Sequence, residues 1–587
     1  MTDFGDVDAL AAGWQERAGQ PGMAYGIVLG GELVHAAGLG ERYAGGPVPD
    51  DGTVFRIASM TKSFTASAVL ALRDDGKLRL DDAAEEYVPE LRRWPSAAAD
   101  APRVSIRHLL TMTAGFPTDD PWGDRQQGLP LDEFRSFLAG GVGVNWAPGT
   151  RFEYSNMGYA ILGLVITAVT GTAYQDFIRD RLLRPLGMTR TGFEAAEFAA
   201  PDLARGYRRA PDGWSEVPPD PCGAFAPMGG VFSCVHDLTR WVAGFAAAFP
   251  AWDADAGGAH PVRRATRREM QLSQVLTGWD SDDSFPGWVA PALSAYGYGL
   301  FVEEHPTFGR IVSHSGGYPG FGSNMRWHPA SGTGVIALGN STYSGMQPLA
   351  ARLLDLVLRQ AEPPDHGYLV TLAPVGNGRD AGPGPWPATL TAQREVGELL
   401  RAWDDDTAAR LFTPNVAQDA PFAERRHALA LIRERIGDFR DDPDRRPEFD
   451  TPAHCRWWLA GERGVVQAQI QLNPELPPRV QSLTLAVPPA PGSPLGRTLD
   501  DVLAWLNGTD RTWPPSIPAD ATVDTDLLGR RLRMAAAWAG SCRLAAYNAG
   551  DGITFAGAEL AGEYARLVLT VVVDPASGLL RQADVTP

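Results

Sequence analysis

The chain has 587 residues, with 52 Lys plus Arg against 70 Asp plus Glu, a formal net charge of −18 and a pI near 5.0. That balance, with no basic block of five or more residues, excludes the electrostatic footprint of a nucleic-acid binder. Hydrophobic residues at 44% suffice for several cores, and the longest apolar run, Tyr159 to Val169, falls short of the ~20 residues of a bilayer span. The first residues, Met1-Thr2-Asp3-Phe4-Gly5-Asp6, lack the positive start of a signal peptide, so the expectation is a soluble, cytoplasmic protein without a membrane partner.

Residues 22–38 hold two apolar runs around Gly30-Gly31, a dipeptide suited to a two-residue hairpin. Met60, Phe64, Ala68, Ala71 and Leu72 recur at helical spacing and predict a helix from Ser59 to Asp75, stopped by Gly76. Further helices are predicted at 105–112, 131–139, 156–170, 174–183, 235–247 and 346–360. Between 296 and 340 the pattern turns strand-like, at 299–303, 309–315, 322–328 and 334–339. An early hairpin, central helices and late strands predict an α/β (α+β) domain over 1–362. Its antiparallel sheet is closed by both ends of the domain and flanked by helices, with an all-helical region beside it.

Residues 363–390, with Pro363-Pro364 and Gly382-Pro383-Gly384-Pro385, read as a linker. Beyond it Leu459-Ala460-Gly461-Glu462 recurs as Leu560-Ala561-Gly562-Glu563, 101 residues later, and Asn473-Pro474 matches Asp574-Pro575 at the same offset. Two tandem α+β modules are expected, 391–487 and 498–587, joined by a Pro-rich linker at 488–497. The four cysteines, Cys222, Cys234, Cys455 and Cys542, are scattered without a CxxC and are read as free thiols. The ten His are dispersed, and neither a metal nor a cofactor is expected.

Only two of the basic residues are Lys, Lys62 and Lys77. Arg serves for surface charge and carboxylate pairing, but it cannot give up its proton, so a retained Lys points to a place that needs a neutral amine. Lys77 lies in a helix-ending turn, whereas Lys62 follows Ser59 by three residues, which puts both side chains on one helix face. In an extended Tyr154-x-Asn156 the phenol and the carboxamide share a side. His314-Ser315-Gly316-Gly317 follows the strand-like run Arg310–Ser313, where glycines admit close approach of another backbone. Each motif alone also fits an ordinary role: Ser59 as a helix cap beside a solvated Lys62, Asn156 as a cap with Tyr154 packed at a surface, His314 as a structural strand-end residue.

Together, in order and spacing, the three resemble S-x-x-K, Y-x-N and K/H-T/S-G of the penicillin-binding protein and serine beta-lactamase superfamily, in its class-C-like branch. Phe55-Arg56-Ile57-Ala58 before the serine and Pro148-Gly149-Thr150 before the tyrosine agree, and the resemblance covers about residues 8–360. It implies a beta-lactamase-like fold and a serine hydrolase working through an acyl-enzyme. It makes Ser59 the nucleophile, Lys62 its activator and Tyr154 the general base that then protonates the leaving group. It assigns substrate binding to Asn156, His314 and Gly316, and the oxyanion hole to the backbone N–H groups of Ser59 and Gly317. His314 stands where beta-lactamases usually carry Lys; a partly charged His suits peptidases and esterases of this branch better than efficient beta-lactamase action. The substrates so implied are D-amino-acid peptides or their esters, with a promiscuous carboxylesterase as alternative and a non-catalytic ligand sensor as rival. The partner is a small peptide or ester, and the oligomeric state is left open, a homodimer included. No G-x-S-x-G, P-loop or H-E-x-x-H occurs.

Overall fold

A computed structural model of the chain describes residues 4–94, 98–210, 213–249, 260–280, 292–305, 308–361, 384–442, 444–449, 451–508, 518–520, 541–562 and 566–586, with isolated positions between 523 and 539. The chain forms two compact units, one ending at residue 369 and one beginning at residue 370.

The first unit is built on an eight-stranded antiparallel sheet. Its order is Glu32–Gly40, Gly22–Leu29, Thr333–Gly339, Phe321–His328, Gly309–Tyr318, Phe301–His305, Ala292–Tyr296, Val275–Asp280. The expected hairpin turns at Gly30 and Gly31 with φ of 58° and 91°, two consecutive positive values that glycine adopts without strain. The sheet is closed as expected by pairing of its first and last segments, with Tyr25 opposite Ala337. Two strands were not foreseen, Val275–Asp280 and Ala292–Tyr296. The first is an edge strand in which Leu276 is exposed and Gly278 interrupts the alternation.

Helices cover both faces. Gly5–Ala18, also unforeseen, and Met346–Ala361 pack on one face around Ile311, Val335, Ala337, Leu349 and Leu353. On the other face lies the larger helical layer, including Thr61–Asp74, Asn156–Thr170 and Val235–Ala246. Thr61–Asp74 is buried from Thr61 through Leu72, so even its polar positions face protein. The predicted helix 105–112 is Ile106–Leu110, capped by the Ser105 side chain on the His108 N–H, and 174–183 is Tyr174–Ile178 continued by a wider turn at Arg179–Leu183. Among the described residues no single helix is long and apolar enough to cross a membrane.

The second unit holds two four-stranded antiparallel meanders. The first runs Arg440–Asp441, His454–Ala460, Val465–Leu472, Val480–Ala486, and the second Cys542–Gly550, Phe555–Gly562, Arg566–Val573, Leu580–Thr586. Strands that begin at His454 and Val465 recur 101 residues later at Phe555 and Arg566. The helices Pro387–Arg401 and Pro494–Asn507 begin inside the stretches read as linkers, because Pro is favoured at the first helical turn. Residues 363–383 of the first linker and much of 509–540 in the second module lie outside the described residues. Within this unit Arg456 pairs with Glu559 at 2.7 Å, and the Tyr547 N–H donates to Gln467 Oε1 at 2.8 Å.

Candidate active site

Ser59 does not open the helix as expected. It lies in a tight turn, Ala58–Met60, just before Thr61–Asp74, and its side chain caps nothing. Ala58 holds φ of 47°, a left-handed conformation that costs a residue with a Cβ on the order of 1 kcal/mol. Its neighbours fix it there. The Ile57 N–H donates to the Val231 carbonyl at 2.9 Å, and Ser323 Oγ donates to the Ile57 carbonyl at 2.7 Å. Gly316 presses on the same turn so closely that a Cβ there would stand 2.2 Å from the Ile57 oxygen.

Lys62 is fully buried and donates three hydrogen bonds: to Ser59 Oγ at 2.9 Å, Asn156 Oδ1 at 2.7 Å and the Met228 carbonyl at 3.0 Å. Its Nζ stands 4.8 Å from the Tyr154 ring centre and 5.8 Å from that of Tyr159. The solvated lysine that Ser-x-x-Lys alone would allow is therefore not what this chain has. Burial lowers the ammonium pKa to about 8, against the pull of Asp120, Asp124 and Asp119.

Ser155, not Asn156, caps the helix Asn156–Thr170, through its hydroxyl on the Gly158 N–H. The Asn156 side chain is thereby free to reach Lys62. Tyr154 is half-buried and stacks on Phe301 at 6.5 Å. Burial first, then the charge of Asp120, pushes its phenol well above the usual value, while a hydrogen bond with Ser59 works the other way.

The strand Gly309–Tyr318 runs on through the third motif. Its pairing with Phe301–His305 stops at Ser313, so His314 to Tyr318 have one edge not paired to that strand. His314 is buried, with Nδ1 2.6 Å from the Ser315 carbonyl and Nε2 3.2 Å from the Tyr296 hydroxyl. A carbonyl can only accept, so Nδ1 carries the proton and Nε2 accepts from Tyr296. Burial, reinforced by Lys62, lowers the imidazole pKa to about 3. His314 is thus neutral near pH 7, not partly charged as the sequence suggested.

The sequence reading passed over Asp119, Asp120 and Asp124. Asp119 accepts from the backbone N–H groups of Asn156 and Met157 and from Ser155 Oγ, holding the helix start; burial raises its pKa to about 7. Asp120 Oδ1 accepts from Asn156 Nδ2 at 2.7 Å, and Asp124 accepts from the Tyr343 hydroxyl at 2.7 Å. Burial raises the pKa of both. Three aspartates within six residues around Pro121 look like the acidic first turn of a surface helix; the signal that they are not is the apolar company of Trp122 and Phe116, both buried. Among the described residues no group of three or more His, Cys, Asp or Glu side chains is placed to hold a metal ion.

A family model described as Beta-lactamase matches residues 7–359. The chain belongs to the beta-lactamase family. Among curated proteins this beta-lactamase-family chain is 28% identical over 327 residues to Protein flp of Staphylococcus aureus (strain NCTC 8325 / PS 47), covering 54% of this chain and 59% of that one. It is 29% identical over 232 residues to the D-alanyl-D-alanine-carboxypeptidase/endopeptidase AmpH of Escherichia coli (strain K12), covering 38% of this chain and 57% of that one. The chain thus spans under two thirds of the length of these relatives. Among solved structures, the octameric penicillin-binding protein homologue from Pyrococcus abyssi shares the fold over 100% of both chains, with a TM-score of 0.54 at 17% identity.

Proposed function

We propose that this beta-lactamase-family chain is a serine hydrolase that cleaves amide or ester bonds through an acyl-enzyme on Ser59. One observation carries the reading: two of the three acceptors around Lys62 Nζ are carbonyl oxygens, of Asn156 and Met228, and the third is the Ser59 hydroxyl. A neutral amine keeps two N–H bonds, which the carbonyls take, so its lone pair can face only Ser59. With a pKa of about 8 against a phenol held well above its ordinary value, Lys62 is the better base of the two in the free enzyme. This departs from the role that family resemblance gave Tyr154.

Ser59 Oγ attacks the carbonyl carbon as its proton passes to Lys62. The N–H groups of Ser59 and Gly317 stabilise the oxyanion. Tyr154 gives its phenolic proton to the leaving nitrogen or oxygen, and Lys62 reprotonates it. Water then adds to the ester, losing its proton to Lys62, and the acid departs as Ser59 recovers a proton. The relative AmpH, a D-alanyl-D-alanine-carboxypeptidase/endopeptidase, supports D-amino-acid peptides as substrates. The neutral His314 favours a second reading, a carboxylesterase, because it offers no fixed cation to a substrate carboxylate. Comparing kcat/KM on D-alanyl p-nitroanilide and p-nitrophenyl butyrate separates the two. Fluorophosphonate labelling tests both: peptide mapping should place one adduct on Ser59, and a chain without it is a ligand sensor.

A further inference from the structure

We propose that Asp120 is a positioning residue of this site: its carboxylate keys the Asn156 carboxamide and thereby tunes Lys62 as a base. The proposal rests on the Ser59–Lys62 reading above. The amide of Asn156 is fully buried, so water cannot orient it. Its Oδ1 accepts from Lys62 Nζ at 2.7 Å, and its Nδ2 donates to Asp120 Oδ1 at 2.7 Å. The Lys62 ammonium takes only the oxygen and a carboxylate takes only the NH2, so both neighbours select one orientation of the amide. Turning the amide over would set NH2 against the lysine and oxygen against the carboxylate, two repulsive contacts at once.

Asp120 is distinct in this respect from the other two acids. Asp119 is spent on the backbone and Ser155 at the helix start, and Asp124 on Tyr343. Asp120 alone meets the Asn156 side chain, and it is half-buried where they are buried. Its Oδ1 accepts from the Asn156 amide.

The charge of Asp120 acts alongside its hydrogen bond. The groups facing Lys62 are Asp119, Asp120, Asp124, Tyr154, Tyr159 and the neutral His314. Of the three carboxylates, Asp120 does most to hold the proton on Lys62, and it also opposes ionisation of Tyr154. Removing that charge makes Lys62 lose its proton at lower pH and makes it a weaker base.

The test is the pH dependence of kcat/KM on p-nitrophenyl butyrate for the full-length wild type, Asp120→Asn and Asp120→Glu, with fluorophosphonate labelling and thermal melts on each. Asp120→Asn should move the acidic limb of the profile down by about one pH unit and lower the plateau on the order of tenfold or more. Asp120→Glu, which keeps the charge and displaces the oxygen, should leave the limb near the wild-type position and still lower the plateau. A folded, Ser59-labelled Asp120→Asn protein with an unmoved limb overturns the proposal, since a structural role alone lowers the amplitude at all pH values. Should Asp120→Asn not fold, Asp120→Glu decides: a lowered plateau on an unmoved limb supports the keying, and a wild-type plateau overturns it. Absence of a Ser59 adduct on the wild type overturns the hydrolase reading itself, a result distinct from an unmoved limb.

Discussion

Each meander of the second unit joins strands that follow one another in the chain, whereas the sheet of the first unit pairs Gly22–Leu29 with Thr333–Gly339 across nearly its whole length. A meander needs only neighbouring segments, so it can be duplicated as a block, and the offset of 101 residues is the trace of that. A sheet closed by distant segments costs more chain entropy. In return it brings together groups no local segment could assemble: Ser59 and Lys62 from one helix start, Asn156 from another, His314 and Gly316 from a late strand. The chemistry belongs to the region with the non-local closure.

Ser59→Ala breaks that division most severely. Turnover of any substrate found should fall to background while the melt changes little, because the hydroxyl makes no helix cap and its loss leaves the carbonyl partners of Lys62 in place. Residual steady-state activity above a few per cent, in protein free of wild type, would show that the site lies elsewhere.

Lys62→Arg comes next. The guanidinium stays protonated and presents no lone pair, so kcat/KM should drop by roughly a hundredfold or more. Full burial of Lys62 adds a stability loss of about 1–3 kcal/mol from the bulkier group, readable as a lower Tm. Near-normal activity would leave Lys62 as a charge alone.

A third test reads the same lysine through pH. The active form has the neutral amine, so the wild-type kcat/KM should rise about tenfold per pH unit below 8 and level off above it. The folded-state pKa is depressed from 10.5, and the unfolded chain holds the extra proton between pH 8 and 10.5, so Lys62 contributes stability that grows with pH across that window. A profile flat from pH 6 to 9 would remove Lys62 as the base.

The second unit offers a smaller effect. Arg456 is buried and pairs with Glu448 and with Glu559, across the two meanders. Arg456→Met should cost about 2–3 kcal/mol of that unit's stability by removing the buried charge that Glu448 and Glu559 share, seen as a shifted calorimetric transition, with Ser59 labelling unchanged. Smallest of all is the effect expected from ending the chain at residue 364: the shortened protein should keep its adduct and its melt. If it fails to fold, the first region depends on the second for its stability.

Much of this was legible in the sequence where local rules decide. Gly30-Gly31 announced the hairpin, and the apolar run within 156–170 announced its helix to the residue, although the cap is Ser155 and not Asn156. The three motifs named the groups that meet at Lys62. What the sequence did not carry is tertiary. Nothing local says that the turn at Ala58 stands ahead of the helix, since the strain is imposed by Gly316 and Ser323 from the late strands. Nor does any spacing reveal that His314 is buried against Tyr296, on an unforeseen strand, and that burial, with the nearby Lys62, keeps it neutral. Asp120 was missed for a third reason: an acidic residue before Pro121 is common surface grammar, and only its contact with Asn156 marks it as something else.

The pairing of Tyr25 with Ala337 also sets a schedule. During synthesis Ser59 and Lys62 leave the ribosome early, but the strand that presses on their turn, and the one that closes the sheet, follow only after most of the first unit has been made. A nascent chain therefore holds an ordinary serine and an ordinary lysine for most of its translation. The reactive pair comes into being late, when the strand Thr333–Gly339 seats, while the two meanders are still to be made.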